Sequence, residues 1–317
     1  MAVQTPPATP PRVATPGDRR VGAAPRPPRR RRPGSVARAA TYAVLVVGAC
    51  ASLLPFVYMG MTAVKSYGSV VNNVFWPWPP FGSESLQLQN YPQAIQTIGF
   101  DRQWGIPLFV RYLANSLIVV TATVAGTLVT SVAAAYALAR LRVPGQNLLF
   151  ALALAVVMVP EDVTLVPRVV LMYDLHWYNT YWALVMPFTV NVFSIFLLRQ
   201  FFRQLPKELF EAAVVDGMGH LRYLLSVALP LSKPAVATVA LLSFIWAWDS
   251  FKWPLLVTRD ASMRVLAVGL QQFKLGEGTN VQLLMAFASL VVLPVVVLYV
   301  LVQKQFREAI TTVGIKG

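Results

Sequence analysis

Glu208 and Glu211 head a segment with a distinctive spacing: Glu211-Ala212-Ala213, three residues, Gly217, nine residues, Val227, one residue, Leu229-Pro230. None of these residue types points to bond-making chemistry; together they suit a helix and turn that dock against a partner. Carboxylates near a helix N-terminus interact favourably with its dipole, and alanines let a partner's backbone come close. Glycine accepts the positive φ that turns a chain after a helix. Asp216, beside Gly217, belongs to the same surface. From His220 to Ala228, Leu221, Leu224, Leu225 and Ala228 fall at i, i+3, i+4 and i+7, the stripe of a second short helix. Pro230 is then expected to open the next apolar run.

The groups that usually carry catalysis or metals are sparse. The single cysteine, Cys50, lies in an apolar run, so neither an internal disulfide nor a Cys-rich metal site is possible. His176 and His220 are far apart, lack metal-ligand spacing, and are expected to be interfacial polar residues. Glu161-Asp162 is the only adjacent acidic pair, and it follows Pro160 at the end of an apolar run. No Gly-Lys dipeptide occurs anywhere, so the phosphate-cradling G-x-x-x-x-G-K-[ST] loop is absent. If ATP is used, another chain must bind it.

The elements that position the 206–230 segment are apolar. Of 317 residues, 56% are hydrophobic and 13% charged, with a mean hydropathy of +0.57. Soluble domains carry about 25% charged residues. The net charge of +14 does not indicate nucleic acid, because nine of the 27 Lys and Arg precede residue 40 and no aromatic interrupts them to stack on bases. Residues 1–38, rich in Pro, Ala, Arg and Thr, are expected to form a disordered basic tail able to touch anionic lipid.

About 20 apolar residues cross a bilayer, which places spans near 39–63, 113–139, 146–165, 181–201, 231–251 and 281–303. The fold class is therefore all-α integral membrane, with six transmembrane helices and a helical loop between the fourth and fifth. The third run is short, so its helix could begin at Gln146 or continue past Pro160. A signal peptide is a poorer account of the first run, because the apolar stretch continues well past Cys50. Residues 64–112, with Trp76-Pro77-Trp78-Pro79-Pro80 and Asn90-Tyr91-Pro92, read as an outer interfacial loop. With both termini in the cytoplasm, about 19 of the 27 basic residues lie inside, in agreement with the positive-inside rule. The Glu211 loop then lies on the ATP side.

The Glu211–Pro230 pattern closely resembles the coupling loop of permeases in ATP-binding-cassette (ABC) importers. Further segments resemble the second permease subunit of carbohydrate-type importers, of the maltose-permease kind. These are Ala135-Tyr136-Ala137-Leu138-Ala139-Arg140-Leu141, Asn179-Thr180-Tyr181, Phe196-Leu197-Leu198-Arg199-Gln200-Phe201-Phe202, Pro206-Lys207-Glu208-Leu209, Pro230-Leu231-Ser232-Lys233-Pro234-Ala235 and Trp248-Asp249-Ser250-Phe251-Lys252-Trp253-Pro254-Leu255. The C-terminal Gly-Ile-Lys-Gly is similar as well. The resemblance covers about residues 40–317; Lys252 departs from it, standing where the family often has an apolar residue.

The resemblance implies a type I permease fold in a bacterial cell membrane, with both termini inside. The implied partners are a second permease subunit, two ATPase subunits that use the ATP, and an extracytoplasmic solute-binding protein. Glu211, Ala212, Ala213, Asp216, Gly217, Leu229 and Pro230 would couple to an ATPase, with Glu211 as the charged contact. The segment from Gln305 to Gly317 could reach the ATPase dimer or simply fray.

Polar residues in apolar spans are costly in lipid and tend to face a cavity. Asn115, Asn191, Ser194, Ser243 and Asp249 are therefore candidates for the solute path, with Trp246, which could stack on sugar rings or anchor at the interface. Trp248 could stack likewise or anchor at the interface. The cargo implied is a sugar or oligosaccharide, with a glycerophosphodiester or polyamine as alternatives. From other classes, a secondary carrier or a membrane enzyme stays open.

Overall fold

The computed structural model describes residues 35–72, 86–141, 144–273 and 280–314. The tail expected over 1–38 lies outside them except for its last four residues, which are helical, and Trp76–Pro80 lies outside them entirely. Among the described residues there is no β-strand, only a lone bridge between Phe100 and Pro107. Two compact units divide at Leu53, and the packing and both candidate regions lie within the second, residues 54–317.

In chain order the helices are α1 (Ser35–Ala63), α2 (Tyr67–Val71), α3 (Asn90–Thr97), α4 (Leu108–Arg140), α5 (Gln146–Val157), α6 (Glu161–Asp174), α7 (Tyr181–Val185) and α8 (Val192–Gln204). They continue as α9 (Lys207–Val215), α10 (His220–Tyr223), α11 (Leu229–Leu231), α12 (Lys233–Asp249), α13 (Lys252–Val257), α14 (Leu266–Gly269) and α15 (Val281–Gly314). Among the described residues three helices are long and apolar enough to cross a membrane, and there are up to six spans if each of three bent pairs counts as one.

Some helices extend beyond the expected apolar runs, and one forms where a loop is expected. α1 begins at Ser35, just after Pro33-Gly34. Asn90-Tyr91-Pro92 opens a helix rather than a loop; Pro92 fits in its first turn. The Asn90 amide donates to the carbonyls of Ala63 and Lys65 at 2.8 and 2.9 Å, tying α3 to the end of α1. α15 runs on to Gly314, well past the expected end at 303.

The central element is α4, 33 residues with no proline. At 1.5 Å per residue it reaches about 50 Å, longer than the hydrocarbon core. It packs against α8, α12, α14 and α7. Its buried face carries Ser116, Thr123, Thr127 and Ser131 beside Val119, Val120 and Ala135. Small residues at such contacts let helices approach closely.

The expected third and fourth spans are each broken, and a bend at Ser232 precedes the fifth, whose helix α12 is continuous. α5 and α6 meet at 95°, α7 with its following turn meets α8 at 43°, and the 220–231 segment meets α12 at 82°. Proline stands at each break: Pro160 caps α6, Pro187 lies in the 3-10 turn after α7, and Pro230 and Pro234 flank Ser232. Proline lacks the N–H that would continue a helix and clashes with the preceding turn. The fifth span therefore opens at Lys233-Pro234, with Pro230 belonging to the segment before the bend.

Candidate functional site

Two regions of the bundle hold the residues singled out by the sequence. The first is the 205–232 loop. α8 stops at Leu205, and Pro206 starts α9 with Glu208 in its first turn. The end of α9 is a Schellman closure. Gly217 has φ 74°, its N–H donates to the Val214 carbonyl at 2.9 Å, and Met218 N–H donates to the Ala213 carbonyl at 2.8 Å. Ala213 is buried and Met218 packs against the same cluster. Glu211, Ala212, Asp216 and Gly217 face outward. The seven loop residues therefore divide: four present an exposed surface, Ala213 anchors it, and half-buried Leu229 and exposed Pro230 lie at the far end.

The second helix of the loop departs from its expected stripe. Residues Leu224–Ala228 form a π-turn between α10 and α11. The Pro230 ring would clash with the carbonyl of Ser226 four residues back, and the wider i→i+5 winding relieves that. The extra residue in the turn rotates the face. Tyr223, Leu224 and Ala228 are buried, whereas Leu221 and Leu225 are 70% and 57% exposed.

Two arginines staple this end reciprocally. Arg140, closing α4, donates to the carbonyls of Phe202 and Leu205 at the end of α8. Arg199, buried in α8, donates to the Leu138 carbonyl of α4 at 3.1 Å and lies 4.1 Å from the Phe150 ring centre. Each satisfies carbonyls that a helix end leaves without a partner.

The second region is a pair of adjoining cavities. One, of about 810 Å³, is lined by α4 (Thr123, Thr127), by both flanks of the α5–α6 and α7–α8 breaks, and by Ser243 and Trp246 of α12. The other, of about 550 Å³, shares Glu161, Leu242 and Trp246 and adds Asp162, Asp249 and Lys252. Irregular backbone at membrane depth is tolerated where it lines a cavity or is satisfied by neighbours, and both conditions hold. Thr127 donates to the Phe188 carbonyl at 3.1 Å and Thr130 to the Thr189 carbonyl, so α4 satisfies groups freed by the break. Gly126 makes that approach possible: a Cβ there would sit 2.6 Å from Thr189 Cγ2.

Five of the six path candidates line these cavities: Asn191, Ser194, Ser243, Trp246 and Asp249. Asn191 also caps α8, its Oδ1 accepting from the Ser194 backbone N–H and hydroxyl. Asn115 lies in neither cavity. It is 1% exposed, donates to the carbonyls of Ser262 and Arg264 and accepts from the Tyr181 hydroxyl. It is a structural staple, because a buried amide must find partners and here it finds them across about 150 residues of chain. Trp248 is likewise in the core, donating to the Val291 carbonyl at 3.2 Å.

Two residues not singled out by the sequence, Thr123 and Arg168, join the cavity, and two named there, His220 and Tyr136, meet each other. The Thr123 hydroxyl lines the larger cavity and has no partner among the described residues. Arg168 pairs with Glu161 at 3.6 Å and donates to Thr164. His220 and Tyr136 bond each other at 3.0 Å. Only Tyr136 had a local signal, as the one aromatic in a run of small and aliphatic residues. Lys252 bonds Asp162 at 3.1 Å, so the residue that departs from the family pattern has an acidic partner on the Pro160 turn.

The comparisons agree with this architecture. Residues 100–312 match the family described as binding-protein-dependent transport system inner membrane component. The chain is 33% identical over 237 residues to the arabinooligosaccharides transport system permease protein AraQ of Halalkalibacterium halodurans, covering 75% of this chain and 82% of that one. It is 32% identical over 269 residues to the sn-glycerol-3-phosphate transport system permease protein UgpE of Rhizobium meliloti, covering 84% and 93%. The fold is similar, at TM-score 0.74 and 24% identity, to the crystal structure of a bacterial ABC transporter involved in the import of the acidic polysaccharide alginate, covering 86% of this chain and 96% of that one. With two thirds of its length matched, the chain belongs to the family of binding-protein-dependent transport system inner membrane components, the multi-pass permeases of ABC importers.

Proposed function

We propose that this permease imports a neutral sugar or oligosaccharide, driven by an ATPase that docks on the exposed face of α9. The observation that carries this reading is the separation of two surfaces on one bundle. Glu211, Ala212, Asp216 and Gly217 stand outward at one region, and a cavity lined by broken helices lies at another. The chain binds no ATP itself. Two ATPase subunits grip one α9 helix each on this permease and on a second permease subunit, and an extracytoplasmic binding protein delivers the solute. Both termini lie in the cytoplasm, a placement supported by the Arg140, Arg199, Arg203, Lys207 and Arg222 cluster around the loop.

The neutral cargo is argued from charge. Arg168 is paired with Glu161 and Lys252 with Asp162, while Asp249 makes no ion pair among the described residues. The cavities therefore offer an anion no unpaired cation. The Thr123, Asn191 and Ser243 polar groups and the Trp246 ring suit sugar hydroxyls and an apolar sugar face.

The test is uptake into proteoliposomes holding the complete complex, with labelled arabino-oligosaccharides and sn-glycerol 3-phosphate as competing solutes. ATP-dependent accumulation of the neutral glycan is expected, together with loss of ATPase co-purification in Glu211→Lys. Preferred uptake of the phosphate ester would overturn the neutral cargo, and solute uptake without ATP would overturn the ATPase-driven reading.

A further inference from the structure

The α9 helix touches the rest of the bundle through few side chains, and one set forms a line toward α4. The Phe210 ring of α9 lies parallel to the His220 imidazole, with centroids 4.9 Å apart. His220 Nδ1 lies 3.0 Å from the Tyr136 hydroxyl. Tyr136, only 5% exposed, meets Phe202 of α8 edge to face at 6.1 Å. Phe210 also meets Tyr223 edge to face at 5.1 Å, so His220 and Tyr223 together seat it. His220 keeps its other edge in solvent, alongside the exposed residues of the loop.

α4 connects this contact to the cavity. Tyr136 and Thr127 are nine residues apart on an unbroken helix, about 13 Å along its axis. Thr127 lines the cavity and holds the Phe188 carbonyl of the α7–α8 break. A displacement of α9 that reaches Tyr136 is therefore delivered to the break by a rigid rod. Arg140 makes a different connection, to the end of α8, and does not touch α9 in its hydrogen bonds.

We propose that His220 and Tyr136 are a positioning pair that transmits movement of α9 to α4, and through α4 to the wall of the solute cavity. This rests on the reading of α9 as the ATPase docking helix. The Tyr136 hydroxyl and His220 Nδ1 share one hydrogen bond, and Phe210 stacks on the imidazole plane. A buried hydroxyl bonded across two elements fixes their relative position more narrowly than apolar contact, because the bond is directional.

The experiment uses the complete complex in proteoliposomes and reads three quantities: ATPase co-purification, ATP hydrolysis stimulated by the binding protein, and solute taken up per ATP. Tyr136→Phe removes only the hydroxyl. His220→Leu removes the bonding partner, and His220→Asn returns a side-chain amide able to donate or accept near the Nδ1 position. Expected results are unchanged co-purification and hydrolysis, with uptake per ATP lowered about five-fold in Tyr136→Phe and His220→Leu. His220→Asn stays within about two-fold of the parent, and the double variant Tyr136→Phe/His220→Leu is no worse than either single, because both remove one bond. Unchanged uptake per ATP in Tyr136→Phe overturns the proposal. So does a parallel fall in co-purification and uptake, which marks a packing role only. Failure of the parent complex to hold the ATPase would instead overturn the docking reading.

Discussion

The loop region and the cavity region are built on opposite principles. Around 205–232, every turn is closed by a hydrogen bond with defined geometry: the Schellman pair at Gly217 and Met218, and the Arg140 and Arg199 forks. Around the cavity Thr127, Thr130 and Asn191 hold the backbone of the α7–α8 break, but two ion pairs, largely open to solvent at their acidic ends, stand at the mouth. The contrast teaches where rigidity is needed. A surface that receives force must not yield, whereas a wall that alternates between two faces needs contacts that part cheaply.

Gly217→Pro attacks the rigid side hardest. Proline fixes φ near −65° where the chain has 74°, and removes the N–H that binds Val214. Uptake should be abolished, while immunoblots of membranes show the protein still inserted. Space is not the issue, since a Cβ at Gly217 meets nothing within 4 Å. Gly217→Ala should therefore lose only about 1 kcal/mol from its positive φ and keep most uptake. Equal loss in both variants would mean that the turn's conformation is not what matters.

The same comparison predicts a different failure at the cavity. Gly126→Ala places a methyl 2.6 Å from Thr189 Cγ2, and Thr189 is held by its own bond to the Met186 carbonyl. Overpacking of this kind costs about 1–3 kcal/mol, here taken up by displacement of the α7–α8 break. Uptake should fall about ten-fold while the ATPase still co-purifies. Loss of co-purification would show that the two regions are not separable.

This division also explains what could be read from the chain alone. The Gly217 turn, the α9 helix and the positions of six apolar runs are encoded by residues close together in sequence, where caps and periodicity act. The Pro160 break was foreshadowed by the shortness of the third run. The π-turn was not, because the period of 3.6 read from Leu221 to Ala228 assumes a regular helix that Pro230 disallows. The partners of Asn115 and His220 are not legible in the chain, for a common reason. A polar residue in an apolar stretch signals that partners exist but not which ones, and these lie across the fold, at Ser262 and Arg264 and at Tyr136.

Arg140→Met tests the reciprocal staples. Two carbonyls at the end of α8 lose a charged donor, a change of about 1.5–3 kcal/mol. Because Leu205 precedes α9 directly, ATPase co-purification should weaken several-fold, with Arg140→Lys intermediate, since a single ammonium cannot reproduce the fork. An effect on uptake with co-purification intact would move Arg140 from the docking side of the comparison to the cavity side.

Lys252→Leu should have the smallest effect, because the cavity mouth is held by contacts that part cheaply. Its ion pair with Asp162 has side chains 71% and 75% exposed, and such pairs are worth about 0–1 kcal/mol. Asp162 gains independent support from the N-terminal dipole of α6, where it lies in the first turn, so it tolerates losing its lysine. Uptake of a neutral glycan by Lys252→Leu should stay within about two-fold of the parent, at low salt as at high. A large loss that salt reproduces in the parent would mean that the pair latches the cavity mouth. The cavity mouth would then depend on a directional bond as the loop region does, and the contrast between them would fail.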